Sequence, residues 1–244
     1  MKNIIKILLI ISLSINIYAL GEKVDKDSLK VYQITQEAGK LVSIKDYQGA
    51  LEKLIISEKI LNSENTIDKK LVEELKLVNL SDQANIYIAM GKYNEAEAIM
   101  DDVIKKVDNV TNNQIQKKIY LAEANVKFTN KKYNDSGDNY KKCLYLYKSD
   151  INLLAMKTGQ KFREKMMMAK SMLEAYKKAE NKEEVKKSYA VYVSMIFAFK
   201  VTEENKMNIE KDKETKESRK KIIIGLDKGI DATLEEEKEW MKNH

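Results

Sequence analysis

One histidine and one cysteine occur in the 244 residues, and neither is placed to do chemistry. His244 is the last residue of the sequence, where a chain is poorly tied down, so a Ser-His-Asp constellation has no base to draw on. Cys143 stands alone, which rules out an intramolecular disulfide. It reads as a packing residue, with an intermolecular disulfide in an oxidising compartment as the alternative. The sequence contains no HExxH, no CxxC, no GxxxxGK[ST] and no GxGxxG. The 38 aspartates and glutamates read as solvated charges. A glycosidase-type carboxylate pair would be defined by its separation in space, which sequence spacing does not carry. Met166–Met168 with Met172 could offer soft ligands or an adaptable surface, but helical packing is the simpler reading. The expectation is therefore a non-enzymatic chain with no metal and no cofactor.

Charge narrows the partners. The formal net charge is +6, and only Arg163 and Arg219 among the basic residues are arginines. Phosphate and base recognition favours the arginine fork, so nucleic acid is not expected as a partner. Charged residues make up 34% of the chain, with 8 glycines and no proline. That composition suits helices with wet outer faces, since proline costs about 3 kcal/mol inside a helix. No stretch alternates apolar and polar residues for long enough to suggest a sheet.

What must position any functional residue is a repeat. Tyr47, Tyr93 and Tyr133 each follow a short polar turn. Three residues later comes a small residue (Ala50, Ala96, Ser136), and seven later a bulky one (Leu54, Met100, Tyr140). Ten later comes Ser57, Val103 or Cys143, and nine residues before each tyrosine sits Ala38, Ala84 or Ala124. Small residues on both members of a helix pair let two backbones approach, while the bulky neighbours fill the groove beside them. A fourth copy keeps Leu173, Tyr176, Val185, Tyr189 and Tyr192 at matching offsets but has Lys182 in place of the tyrosine.

This pattern resembles tetratricopeptide repeats. Gly91–Ala96, with the sequence GKYNEA, is close to the family's inter-helix turn, and Ala84 with Tyr87 matches its first helix. The intervals of 46 and 40 residues between turn tyrosines exceed the family's usual spacing of about 34, and the repeat-closing proline is missing. The resemblance covers roughly residues 31–200 and implies an all-α, TPR-like α-solenoid of three to four antiparallel helix pairs with a C-terminal helical extension. It further implies a protein–protein interaction module whose first helices line a concave, peptide-holding face. In that register Tyr32, Val42, Asn85, Ile88, Lys118, Asn125 and Phe128 occupy the face, with Lys170 and Lys177 in the fourth pair. Asn85 and Asn125, each eight residues before its turn tyrosine, would grip a peptide backbone as donor and acceptor. The lysines would hold a carboxylate.

The ends differ from the body. Residues 1–19 read as a secretory signal peptide: Lys2 and Lys6, then the apolar Ile7–Ala19 with Ile17-Tyr18-Ala19 as a cleavage site. The run is shorter than the ~20 apolar residues of a spanning helix. The expectation is an exported protein, periplasmic or at the cell surface, with no stable membrane span after cleavage. Residues 201–221 read as a charged linker or solvated helix. Residues 222–244 read as a helix capped by Asp231, closing the solenoid or docking a partner through Trp240. The partner is a protein or peptide, and self-association is possible. The function expected is an envelope scaffold, assembly or secretion accessory factor. A surface adhesin or self-assembling helical protein is the alternative.

Overall fold

The inter-helix turns repeat one backbone solution. In the computed structural model, which describes residues 26–63, 66–149 and 159–244, each turn contains one residue in the left-handed region: Lys45 (φ 67°), Gly91 (φ 78°), Lys131 (φ 61°) and Glu180 (φ 53°). The next residue's N–H returns to a carbonyl five positions back. Asp46 donates to Leu41 O at 2.9 Å, Lys92 to Tyr87 O at 2.9 Å, Lys132 to Lys127 O at 2.8 Å and Asn181 to Tyr176 O at 3.1 Å. This is a Schellman-type stop, which satisfies the last carbonyls of the first helix and reverses the chain. Glycine suits that position because it has no Cβ to clash. Lys131→Gly is therefore expected to stabilise the protein by about 1 kcal/mol, seen as a higher midpoint of urea unfolding; an unchanged or lower midpoint would count against strain at this turn.

Among the described residues the chain is all-α, with nine helices and no strand. They are α1 (Lys26–Ser43), α2 (Tyr47–Asn62), α3 (Lys69–Ala89), α4 (Tyr93–Ile104), α5 (Asn113–Thr129), α6 (Tyr133–Ser149), α7 (Gly159–Lys178), α8 (Lys182–Ile209) and α9 (Lys213–Asn243). A short 3-10 turn, Val107–Asn109, follows α4. Side-chain caps start several of them. Asp46, Asp68, Asn112, Asn181 and Asp212 accept from free N–H groups of α2, α3, α5, α8 and α9. A Cβ at Gly49 would lie 2.5 Å from Asp46 Oδ2, so a side chain there would push the capping carboxylate aside.

Two compact units divide at Asp150 and Ile151, where one repeat domain was expected across residues 31–200. In the first unit α1 packs on α2, α3 on α4 and α5 on α6, and the pairs are joined by α2 on α3, α3 on α5 and α4 on α5. The repeat positions form its core. Ala38, Ala50, Ala84, Ala96, Ala124, Leu54, Met100 and Cys143 are fully buried, and Tyr140 is nearly so. An acid near the start of one first helix also ties the loop leading to the next pair. Asp27 accepts from Thr66 N at 3.0 Å and Oγ1 at 3.1 Å. Glu74 accepts from Thr111 N at 2.9 Å and Oγ1 at 3.1 Å.

The second unit is built from α7, α8 and α9, with α8 between the other two. Leu173, Tyr176, Val185 and Tyr189 are buried at the expected offsets. The charged stretch 201–221 is not one segment. Its first part completes α8, residues Glu210–Asp212 break the helix, and the rest opens α9. Asp212, not Asp231, is the cap of α9. Asp231 lies mid-helix, where the N–H groups are already bonded along the helix. The less exposed positions of α9 include Arg219, Ile223, Leu226, Ile230, Thr233, Glu237 and Trp240, alternately four and three residues apart, as in a coiled-coil seam. Ion pairs flank it: Arg219 to Glu203 at 2.6 Å, Lys200 to Asp227 at 2.6 Å, and Lys177 to Glu236. No helix among the described residues is long and apolar enough to cross a membrane. The expected signal peptide, residues 1–19, lies outside the described residues.

Candidate functional site

The asparagines expected on an open groove lie inside the protein. Asn85 and Asn125 are both fully buried. Asn125 Nδ2 donates to Asn85 Oδ1 at 3.3 Å, and Tyr140 Oη donates to Asn125 Oδ1 at 2.8 Å. Lys118, expected to hold a carboxylate of a ligand, holds one of the chain's own: its Nζ donates to Asp82 Oδ2 at 2.8 Å. Asp82 is fully buried and Lys118 is 8% exposed. The groove placement of these three residues is therefore corrected. First helices α3 and α5 lie directly against each other, so the side of each helix that carries these residues meets its neighbour rather than water.

The result is a polar ladder across the junction of the second and third helix pairs. Asp82 and Asn85 are three apart on α3, and Lys118 and Asn125 seven apart on α5, so each pair shares one helix face. Burial dominates the electrostatics. It pushes the Asp82 carboxyl up to about 6, against the pull of Lys118, and it lowers the Lys118 ammonium despite Asp82. Asp82 Oδ1 has no hydrogen-bond partner among the described residues.

A second cluster lies between α4 and α5. Lys127 Nζ meets Glu97 at 3.0 Å, Asp101 at 3.2 Å and Glu123 at 3.4 Å. Burial would lower the Lys127 ammonium, but the bond to Glu97 and the neighbouring carboxylates hold it above its ordinary value. Lys132 reaches Glu97 at 2.7 Å, and Asn130 Nδ2 donates to Glu97 Oε2 at 2.9 Å. These contacts clamp the third pair's turn to α4.

The other expected groove residues scatter. Ile88 and Val42 are buried, while Tyr32 is only partly so, packed on the core of the first unit. Phe128, also part-exposed, meets Tyr133 edge-on with ring centroids 5.4 Å apart. In the second unit Lys170 is exposed. Lys177 is spent on Glu236 and sits 4.8 Å above the Tyr189 ring. Trp240 is half-buried on α9 and stacks on His244 at 4.4 Å. Cys143 is the packing residue expected: its thiol donates to Lys117 O at 3.2 Å, and burial raises its pKa far from the reactive range. Met168 and Met172 are buried, and Met166 and Met167 are partly so.

Asp82 is the residue that sequence reasoning passes over. The available signal is a carboxylate three residues before Asn85, the one acidic residue in the stretch Leu77–Ile88, facing a lysine on the same helix face as Asn125. Comparison with protein-family models, with curated proteins and with solved structures finds no match to this chain.

Proposed function

We propose that this chain is an exported, non-enzymatic protein–protein interaction module: an envelope scaffold, assembly or secretion accessory factor that binds a protein or peptide. The supporting observation is the serial use of one helix-pair design. Three pairs of the first unit reverse through the same left-handed turn and bury the same offsets. Units repeated in this way present equivalent surface positions at regular intervals, which suits an extended partner. With Asn85, Asn125 and Lys118 committed to the interior, the recognition surface falls to side chains still reached by water, such as Tyr32 on α1 and Phe128 on α5. Export rests on the basic start and short apolar run of residues 1–19.

The test is in-cell cross-linking of the full chain in its native envelope, followed by mass spectrometry. A defined partner cross-linked to the first helices of the first unit supports the module. Release of products from cell-wall fragments by the purified chain would replace it with an enzyme. N-terminal sequencing of the same material is expected to read from near Leu20; an intact Met1 in the membrane pellet would overturn export with cleavage.

A self-assembling helical structural protein is the second reading, favoured by the long pair α8–α9 of 28 and 31 residues. Their exposed Phe197, Ile222 and Ile224 could meet another copy. Cross-links only between copies, with a sedimentation coefficient rising with concentration, would favour it.

A further inference from the structure

The polar ladder between α3 and α5 contains one element that neither packing nor partner binding calls for. A carboxylate with no exposure sits where two helix pairs meet, and only one of its oxygens is answered. Lys118 satisfies Asp82 Oδ2, and Oδ1 faces no donor among the described residues. An ionised carboxylate in that position forfeits hydration on its unmet oxygen at a greater cost than the neutral acid does. If the seam opens, water reaches both oxygens and the penalty on the charged form disappears. The position therefore couples the protonation of one group to the closure of one junction.

We propose that the junction between α3 and α5 is an acid-tightened hinge: ionisation of the buried Asp82 loosens the second helix pair from the third, and its protonation draws them together.

The surroundings leave this assignment to one group. From α2, Lys53 is turned to Glu37 at 2.5 Å. From α4, Glu97 and Asp101 are engaged by Lys127, which also meets Glu123 on α5 itself. On α3, Glu74 is bonded to Thr111. From α6, the Tyr140 hydroxyl donates to Asn125. Among the described residues only Lys118 acts electrostatically on Asp82, and its attraction is smaller than the cost of burial.

The sign follows from linkage. A solvated aspartate titrates near about 3.9, and burial raises Asp82 to about 6 in the closed seam. A carboxyl raised on closing contributes stability that is fully present below its solvated pKa and lost as pH rises through its closed-state pKa. The seam is thus tightest below about pH 4, loosens from there to about pH 6, and changes little above. The device acts within the chain alone, whatever partner it binds.

The experiment is amide hydrogen exchange by NMR on the full chain at pH 4.5 and 7.5, corrected for intrinsic exchange, for wild type and Asp82→Asn. In wild type the opening equilibrium of α3 and α5 amides is expected to rise on the order of twentyfold between the two pH values. In Asp82→Asn that rise is expected to vanish or reverse, since burial depresses Lys118. An equal rise in the variant would overturn the hinge. So would a rise spread evenly over every helix of the first unit, which would mark a property of the whole fold. Should Asp82→Asn fail to fold, carbon-detected titration of the wild-type carboxyls decides. Asp82 titrating near 6 supports the hinge, and titration below 4.5 overturns it.

Discussion

Replacing Lys118 by methionine is expected to destabilise the protein by about 3–5 kcal/mol at pH 7.5, the cost of leaving a buried charge without its partner. The side chain is almost wholly inside, and among the described residues its ammonium is the single donor to the Asp82 carboxylate. Methionine keeps most of the stem's volume, so the loss reports on charge and hydrogen bonding rather than on a cavity. The pH dependence has a definite sign. Lys118 is the one group among the described residues that lowers the Asp82 pKa, so its removal sends that pKa higher still. A raised carboxyl contributes stability below its unfolded pKa and withdraws it as pH rises. The defect is therefore largest at and above neutral pH and shrinks toward pH 4. Adding Asp82→Leu should recover most of the loss, because a buried ion pair exchanged for apolar residues is often neutral or better. Urea titrations of both variants, followed by circular dichroism at pH 7.5 and 4.5, measure this. A Lys118→Met variant as stable as wild type at pH 7.5 would mean that the pair is solvated in solution.

Ala96→Leu is expected to cost about 1–3 kcal/mol. Ala96 is completely buried. It lies in the first turn of α4, the second helix of its pair, and Ala84 on the first helix is equally buried, with Leu77, Ile88 and Met100 in the same core. Three further carbons have no space there except by moving one helix of the pair. Lys92→Leu, four residues earlier at an exposed turn position, is the matched control. Its loss is limited to the ammonium's placement over the Tyr87 ring at 5.8 Å, worth about 0.5–1 kcal/mol at an exposed site. Coincident thermal midpoints for the two variants would show that the pair does not close as described.

The contrast between these two substitutions is legible in the sequence, and the reason is local. Whether residue i and residue i+3 or i+7 share a helix face depends only on helix geometry. A small residue recurring at a fixed distance from a turn therefore marks a close approach of two helices by its spacing alone. Every such position, from Ala38 to Cys143, is in fact buried. The turns are legible in place but not in conformation. Gly91 announces a left-handed residue, while Lys45, Lys131 and Glu180 take up the same geometry because the helices they join leave no other path. The charged stretch 201–221 reads as solvent-exposed because the partners of its charges are distant in sequence. Arg219 finds Glu203 only once α9 has folded back on α8.

The polar ladder belongs wholly to the tertiary level. Helical periodicity puts Asp82 with Asn85 and Lys118 with Asn125, one pair to a face, and that much is readable from residue spacing. The spacing could not say whether those faces meet water, a ligand or each other. That choice depends on how closely α3 and α5 approach, which follows from the summed packing of three helix pairs rather than from any residue in the ladder. Once the two faces meet, water is excluded, and side chains that would have been ordinary surface polar groups become a buried ion pair and a hydrogen-bonded chain. The same exclusion of water raises the Asp82 pKa, so the group's chemistry, like its position, was decided by the fold.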